Sequence, residues 1–306
     1  MPHMKLLSWS APVAFLIMWG SGAIFVKLGL LDASVWTFLA IRSVGAFLIL
    51  GGICLYVFRG RLSACILMLP AALIIRMLLA GILLQVVYQG AFFLAIENGL
   101  SPGLLAIVLG LQPCLTSLLA REDVGMKGHL LLLLGFAGLG VSVTGARDVS
   151  SLAITGVVFA VVSVTAMSLG SVFQKRVEVN PLVSALYQSM VAAVVFLIVA
   201  LYVGPSWTPG PRLFLAASWM IVVVSVGATL LLLHMLSRGS AGSVSALFYL
   251  VPVVTMAFDY MVFGERVTLQ TVIGSMLVVL SIVLFRKHLQ ARDTPMRIDG
   301  PRVRDL

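Results

Sequence analysis

The sequence predicts an all-α integral membrane protein with ten transmembrane helices, arranged as two inverted repeats of five helices each. Three observations predict this fold class. The 306 residues are 61% hydrophobic and only 10% charged, whereas a soluble domain has roughly 25% charged residues. The apolar residues fall into blocks as long as a helix that crosses a bilayer. Several short segments of the first half recur in the second half, in the same order.

Each apolar block has the length of one membrane crossing. A helix needs about 20 residues to cross a hydrocarbon core of roughly 30 Å, and there it satisfies its own backbone hydrogen bonds. An interfacial helix is expected over residues 62–76, before the third span. The start of the chain resembles a secretory signal, but its apolar character continues through Leu31, so we expect an uncleaved first span. The predicted spans are residues 11–30, 34–56, 77–96, 101–120, 128–146, 153–173, 181–203, 213–236, 241–263 and 267–286.

The distribution of positive charge predicts the orientation. Cytoplasmic loops carry the excess of lysine and arginine, and only Lys27, Arg147, Arg212 and Arg266 fall on the side opposite the N-terminus. Both termini are therefore predicted to lie in the cytoplasm, with the spans in the cell (inner) membrane. Topology thus accounts for the net charge of +9 without a nucleic-acid partner. Residues 289–306 are expected to form a disordered cytoplasmic tail.

The repeats divide the chain into two parts. The segment "GAIFVK" at 22–27 recurs as "GSVFQK" 148 residues later, and "SPGLLAIVLGLQP" at 101–113 recurs as "SAGSVSALFYLVP" 139 residues later. We therefore predict one five-helix repeat over residues 1–148 and a second over residues 149–288. Because five is odd, the second repeat enters the membrane upside down. Inverted repeats are typical of transporters, whose binding site lies near the midplane between the repeats.

Several segments also resemble the EamA branch of the drug/metabolite transporter superfamily. The resemblance is carried by "MWGSGAIFVK" in the first span, "FLAIRSVGAFLIL" in the second, "AIENGLSPGLLAIVLGLQPCLTSLLA" across the third and fourth, and "ALFYLVPVVTMAFDYMVFGERVTLQTVIGSMLVVLSIVL" across the last two. It covers nearly the whole chain apart from the tail. The resemblance implies a ten-helix carrier that exports amino acids or other small metabolites. Arg42 matches the arginine of the family's second-span motif.

Polar side chains recur with helical spacing in the third span. Gln85, Tyr88, Gln89 and Phe92 follow an i, i+3, i+4, i+7 pattern, so they share one face of the predicted helix. Polar groups at that depth are costly unless they meet partners or water. They either hydrogen-bond to neighbouring helices as packing contacts or line a wetted cavity. A stripe of three polar side chains followed by an aromatic ring favours the cavity, so we predict that these side chains bind the substrate.

A second stripe with the same spacing lies in the ninth span. It consists of Ser245, Phe248, Tyr249 and Pro252. Aromatic stripes are more often packed core, but the repeat alignment pairs both stripes with smaller residues of the other half. Large side chains opposite small ones predict a cavity that is lined on one side and roomy on the other, so Ser245, Phe248 and Tyr249 are also candidate substrate-binding residues. The smaller counterparts are Val224, Gly227, Ala228 and Leu231 for the third span, and Ala106, Leu109 and Gly110 for the ninth.

Further candidates are single residues inside the spans. Trp19 lies near the centre of the first span, as packed core or as a cavity wall. Arg42 lies roughly 12 Å deep, where it either attracts a substrate carboxylate or pairs with carbonyls at a helix end. Asp259 is either the counter-ion of Arg42 or close enough to the surface to reach water. Pro113 and Pro252 occupy equivalent positions, and because proline bends a helix we predict a gating role, with a static kink as the alternative.

The remaining function classes fit less well. No span contains a centrally placed Asp or Glu, which favours a facilitator, although Asp259 and His234 leave proton coupling open. The four histidines are scattered and the three cysteines lack metal-type spacing, so no enzyme activity, metal or cofactor is predicted. We predict a monomeric transporter that exports small metabolites, most simply amino acids, by alternating access. A multidrug carrier, a nucleotide- or cofactor-type carrier and a non-transporting scaffold are the alternatives.

Overall fold

The computed structural model describes residues 3–59, 69–119, 125–144, 154–174, 177–231, 251–264 and 268–293. These ranges are almost entirely helical, with one isolated β-bridge between Ala33 and Trp207. Two π-helical segments, Ile82–Val87 and Trp219–Ala228, continue α4 and α11. The α-helices are α1 (His3–Gly20), α2 (Gly22–Gly29), α3 (Val35–Val57), α4 (Ala71–Gly81), α5 (Tyr88–Glu97), α6 (Pro102–Gly110), α7 (Gln112–Leu119), α8 (Gly125–Thr144), α9 (Ile154–Gln174), α10 (Pro181–Val203), α11 (Pro211–Ser218), α12 (Val251–Phe263) and α13 (Leu269–Asp293).

Seven helical stretches of the described chain are long and apolar enough to cross a bilayer. They agree with predicted spans one to three and five to eight, so the chain is a multi-pass membrane protein. The fourth predicted span is broken into α6 and α7, the ninth is described only from Val251, and the tenth contains a shorter apolar stretch. The total of ten spans therefore stays a prediction. The seven stretches are Pro12–Gly29, Val35–Val57, Ala71–Glu97, Gly125–Ser142, Ile154–Gln174, Pro181–Val203 and Pro211–Leu231.

Side-chain caps and prolines set several helix starts close to the predicted positions. The Ser34 hydroxyl accepts a hydrogen bond from the backbone N–H three residues later at 3.4 Å, and Asn180 Oδ1 accepts one from the Leu182 N–H at 3.0 Å. These caps satisfy backbone donors that lack a partner in the first helical turn. Pro181 has no N–H to satisfy and begins α10, whose bounds agree with the predicted span 181–203.

The third span is longer than predicted. A continuous helical stretch of 27 residues runs from Ala71 to Glu97, which is about 40 Å at 1.5 Å per residue. The predicted separate interfacial helix over residues 62–76 is therefore wrong for residues 71–76, and residues 60–68 lie outside the described ranges. A helix longer than the hydrocarbon core of roughly 30 Å is accommodated by tilting. The prediction rested on the usual length of a span, about 20 residues.

The fourth span breaks beside Pro113. The N–H of Leu111 bonds to the Val108 carbonyl three residues back at 3.1 Å, and regular i to i−4 bonding resumes with the Leu115 N–H on Leu111 at 3.0 Å. A proline has no N–H and its ring clashes with the carbonyl four residues earlier. The kink expected at Pro113 therefore takes the form of two short helices, α6 and α7.

Helices of the two predicted halves pack against one another. α3 lies along α10 and α8 lies along α13, so the second predicted span contacts the seventh and the fifth contacts the tenth. α1 and α2 contact the second π-helical segment and α12, while α9 contacts α5, α6 and the first π-helical segment. The first helix of each predicted half thus packs into the other half. The buried core between them includes Phe38, Phe93 and Phe196.

Two loops meet at the end of the bundle that is predicted to face outside. The Arg212 guanidinium donates hydrogen bonds to both carboxylate oxygens of Asp32. The Ser34 N–H donates to the Ser206 carbonyl at 2.9 Å, and the Thr208 N–H donates to the Asp32 carbonyl at 2.6 Å. These contacts hold the connection between α2 and α3 against the connection between α10 and α11.

The last helix extends into the predicted tail. α13 runs from Leu269 to Asp293, so residues 289–293 are helical although they were expected to be disordered. The sequence "LQARD" at this point begins with strong helix formers, which allow the helix to continue past its apolar part. Residues 294–306 lie outside the described ranges.

Candidate functional site

A cavity of about 130 Å³ lies at the centre of the helix bundle. Residues from α1, α2, α3, α5, α6, α7, α9, α10, α12 and both π-helical segments line it, so both predicted halves contribute. Seven of the residues singled out from the sequence lie in its wall: Trp19, Arg42, Gln85, Tyr88, Gln89, Phe92 and Pro252.

The other sequence candidates are not part of this described wall. Ser245, Phe248 and Tyr249 lie outside the described residues, as does His234. Pro113 lies in α7, one residue after the lining residue Gln112. The ninth-span stripe is therefore represented at the cavity only by Pro252.

Smaller residues at the equivalent positions of the other repeat also line the cavity. Four of the seven predicted counterparts are in its wall, together with Met167, which aligns with Trp19. Gly227 is not part of the wall and packs against Met18, whose methyl group would lie 2.6 Å from a Cβ added there. The cavity thus combines larger residues of one half with smaller ones of the other. The four lining counterparts are Val224, Ala106, Leu109 and Gly110.

The polar stripe of the third span lies at a π-helical segment. Gln85 is inside the segment Ile82–Val87, and Tyr88 and Gln89 follow it directly. A π-helical turn contains an extra residue and alters which carbonyls are bonded within the helix, and such turns are frequent at functional sites. The Tyr88 carbonyl accepts a hydrogen bond from the Ser163 hydroxyl of α9 at 3.1 Å. The irregular turn is therefore held by a helix of the other predicted half.

The second π-helical segment borders the same cavity. Val224 and Ser225 lie within Trp219–Ala228 and both line the wall. The Ser225 hydroxyl donates to the Met220 carbonyl, five residues earlier, at 2.7 Å. Two irregular helical segments thus border the same cavity.

Arg42 is buried in the wall, with 6% of its surface exposed. Its Nε donates to the Ser225 hydroxyl at 3.0 Å, and its Nη1 donates to Gln89 Oε1 at 2.6 Å. The guanidinium also lies 5.9 Å from the centre of the Phe93 ring, within the range of a cation–π contact. A residue of the second span is therefore fixed by the third and eighth predicted spans at once.

Asp259 is not the counter-ion of Arg42. The residue is 3% exposed. Its carboxylate lies 4.0 Å from the Lys27 ammonium and accepts a hydrogen bond from the Gly103 N–H at 2.9 Å. It therefore joins α12 to α2 and to the first turn of α6. The two sequence alternatives, a partner for Arg42 or a carboxylate in water, are both wrong. A position near the end of a span did not reveal which neighbouring helix would face it.

Aromatic rings form part of the wall and its support. The Tyr88 and Phe92 rings meet edge to face with their centres 6.0 Å apart. Trp219, next to the lining residue Met220, stacks on Phe25 at 4.6 Å, and its indole N–H donates to the Ser21 hydroxyl at 2.9 Å. This bond lies at the interruption between α1 and α2.

Several polar lining residues were missed in the sequence. Gln112 Nε2 donates to the Thr116 hydroxyl at 3.2 Å and to the Ser171 hydroxyl at 3.3 Å. Gln112 lies directly before Pro113 in the segment "SPGLLAIVLGLQP", which recurs in the second half. Its position beside a predicted gating proline was the signal that could have identified it. Serine and threonine gave no signal, because in an apolar helix they commonly bond to their own backbone. The missed polar lining residues are Ser43, Gln112, Ser189, Ser225, Thr229 and Thr255.

Within the described ranges, no group of three or more His, Cys, Asp or Glu side chains could hold a metal ion. The wall instead combines one cation, neutral amides and hydroxyls, and aromatic rings. Such a surface can bind a small polar molecule without metal chemistry.

Comparisons with known proteins agree with a transport function. Residues 154–286 match the EamA-like transporter family. The chain is 24% identical over 205 residues to the uncharacterized transporter YvbV of Bacillus subtilis (strain 168), a stretch that covers 64% of this chain and 66% of that protein, slightly less than two thirds of its length. One solved crystal structure is 21% identical with a TM-score of 0.62, over 92% of this chain and 96% of that chain, and it supports the fold alone.

Proposed function

We propose that this chain, whose residues 154–286 match the EamA-like transporter family, is a transporter of that family and carries small metabolites, amino acids in particular, through the central cavity by alternating access. The proposed direction is export across the cell (inner) membrane, with both termini in the cytoplasm. One observation carries the proposal: a cavity with polar and aromatic walls is lined by residues of both predicted halves. In transporters built from inverted repeats, the substrate site lies at this interface.

The positions of the irregular helices support two inverted five-helix repeats over residues 1–148 and 149–288. The offset of 139 residues that aligns the repeats moves the first π-helical segment, Ile82–Val87, to residues 221–226. Those residues lie within the second segment, Trp219–Ala228. The packing supports the same division, because α9 contacts the third and fourth predicted spans as α1 and α2 contact the eighth and ninth.

The broken helices suit a carrier that rocks about a fixed site. Equivalent helices of the two halves, α3 with α10 and α8 with α13, form paired contacts about which one half can move relative to the other. The break at Pro113 and the buried Pro252 lie beside the cavity. We assign these two prolines to gating, because a kinked helix can change its angle with little loss of backbone bonding.

The size and the chemistry of the cavity favour amino acids. A volume of about 130 Å³ is below the roughly 300–1,000 Å³ typical of sites for drug-sized ligands, which argues against a nucleotide-type or multidrug substrate. Gln85, Gln89 and Tyr88 offer neutral hydrogen-bonding groups, and Phe92 offers an apolar face. A scaffold without transport has no need to keep these groups in the bilayer, where they are costly.

Counterflow tests this function. The purified protein is reconstituted in liposomes, and the uptake of labelled amino acids against an unlabelled internal pool is measured for the wild type, for Tyr88→Leu and for the pair Gln85→Leu and Tyr88→Leu. Tyr202→Leu is the matched control, because Tyr202 is 90% exposed on α10 and remote from the cavity wall. We expect accumulation by the wild type and by the control, and its loss in the cavity variants. Wild-type flux in the double variant would show that the cavity is not the path.

A further inference from the structure

We infer that the cavity recognises its substrate through a carboxylate group bound by Arg42, and that an amino group on the substrate is not required. The inference rests on the proposed transport through this cavity and narrows its substrate class. It predicts that small monocarboxylates are carried whether or not they bear an ammonium group. Amines and amides of the same shape are excluded.

The charge of Arg42 has only neutral hydrogen-bonding partners among the described residues. These are the Gln89 amide oxygen at 2.6 Å and the Ser225 hydroxyl at 3.0 Å, while 6% of the residue is exposed. The buried carboxylate of Asp259 is engaged elsewhere, by Lys27 and the Gly103 N–H. A buried cation without an anion is costly. A substrate that brings a carboxylate offsets that cost when it binds.

The geometry leaves donors for such a group. A guanidinium carries five N–H groups in a planar fork, which match the two oxygens of a carboxylate. Nε and Nη1 each have one protein acceptor, while Nη2 has none in the described part of the chain. Because Gln89 and Ser225 hold the guanidinium from two different helices, its remaining donors keep one orientation in the cavity wall.

No carboxylate is available in the described wall to bind an ammonium group. The polar residues that line the cavity besides Arg42 are all neutral amides and hydroxyls. Residues 232–250, which lie outside the described ranges, contain no Asp or Glu in their sequence. In the described wall an ammonium group would meet neutral oxygens and ring faces, which attract it far less than the arginine attracts a carboxylate. The site therefore selects substrates by their carboxylate group and not by their ammonium group.

A set of matched compounds tests the inference. For the leucine and phenylalanine side chains in turn, four compounds are compared in proteoliposomes: the amino acid, its amide, its 2-oxo acid and its decarboxylated amine. Initial uptake of each is measured by mass spectrometry. We expect uptake of the amino acid and the 2-oxo acid, with the amide and the amine lower by at least about tenfold, the effect of one lost charge-assisted hydrogen bond.

Variants of Arg42 assign the selectivity to this side chain. Arg42→Gln is expected to reduce the ratio of acid to amide uptake by at least about tenfold, and Arg42→Lys to retain part of it, because lysine keeps the charge but loses the fork. Arg212→Gln is the matched control, since Arg212 lies outside the cavity wall and is expected to keep the wild-type ratio. Thermal unfolding of each purified variant checks that a lost ratio is not a folding defect.

The outcomes separate the two proposals. Uptake of the amide or the amine as fast as of the acids overturns the inference and leaves the transport function intact. An unchanged ratio in folded Arg42→Gln also overturns it. Wild-type protein that carries none of the eight compounds contradicts the inference together with the proposed amino-acid transport.

Discussion

A close contact between two helix backbones predicts a large effect of one added methyl group. α8 and α13 approach where Gly138 and Gly274 face each other. A Cβ added at Gly274 would overlap the backbone nitrogen and the hydroxyl of Ser142, and it would lie 2.5 Å from the Gly138 carbonyl oxygen. Backbone atoms of a helix cannot move aside as a flexible side chain can. Gly274→Ala must therefore push the two helices apart.

Two opposing effects set the magnitude. Replacing glycine by alanine in an unobstructed helix stabilises it by about 1 kcal/mol. Overpacking typically costs about 1–3 kcal/mol, and occasionally more. Because the added group meets backbone atoms, we expect an overpacking cost in the upper part of that range, about 2–3 kcal/mol. After the gain of about 1 kcal/mol from alanine is subtracted, Gly274→Ala should lower the free energy of unfolding by about 1–2 kcal/mol. Gly52→Ala is the matched control, since nothing lies within 4 Å of a Cβ added there.

Unfolding of both purified variants in detergent micelles, followed by circular dichroism, measures this difference. We expect Gly52→Ala to be as stable as the wild type or slightly more stable, and Gly274→Ala to be clearly less stable. Equal stability of the two variants would refute the close approach of α8 and α13. It would also remove one of the two paired contacts on which the proposed movement of the halves depends.

Two ion pairs and one helix break can be tested by single substitutions. The hydrogen bond from Arg212 lowers the pKa of Asp32 below its ordinary value of 3.8. The pair therefore stabilises the protein above about pH 4, and this contribution is lost as the pH falls through the lowered pKa. Asp32→Asn should remove that part of the acid dependence of the melting temperature. Lys27→Met should lower the free energy of unfolding by about 3 kcal/mol, because it removes the cation beside the buried carboxylate of Asp259. Asp259→Asn should lower it by less, because the remaining Lys27 side chain is 26% exposed and can reach water; an equal or larger loss in Asp259→Asn would contradict this pairing. Pro113→Ala should slow counterflow without weakening substrate binding, and unchanged counterflow would point to a static kink.

The sequence predicted best what depends on length and local signals. The bounds of α10 agree with the predicted span 181–203, because a long apolar block begins at Pro181 directly after the cap Asn180. The polar stripe of the third span was recognisable because glutamine is rare inside an apolar block, where an unpartnered polar side chain is energetically costly. Gln85 and Gln89 both lie in the cavity wall.

The features that were missed depend on tertiary contacts. A π-helical segment changes the bonding register without changing the apolar pattern, so residues 82–87 read as ordinary helix in the sequence. The partner of Asp259 is set by how α12 packs against α2, and no spacing along the chain contains that information. Ser225 holds Arg42 across 183 positions of sequence, and a single serine in an apolar span gives no warning of such a role.

Access to Gln85 from the two sides of the membrane tests the central claim most directly. In a background with Cys54, Cys65 and Cys114 replaced by serine, Gln85→Cys is reconstituted and treated with a membrane-impermeant thiol reagent from outside or from inside. Leu48→Cys, 64% exposed on α3 and outside the cavity wall, is the control and should resist the reagent in lipid. We expect Gln85→Cys to react from both sides in turn, and its modification to stop counterflow. Reaction from one side only, or undiminished counterflow after modification, would contradict alternating access through this cavity.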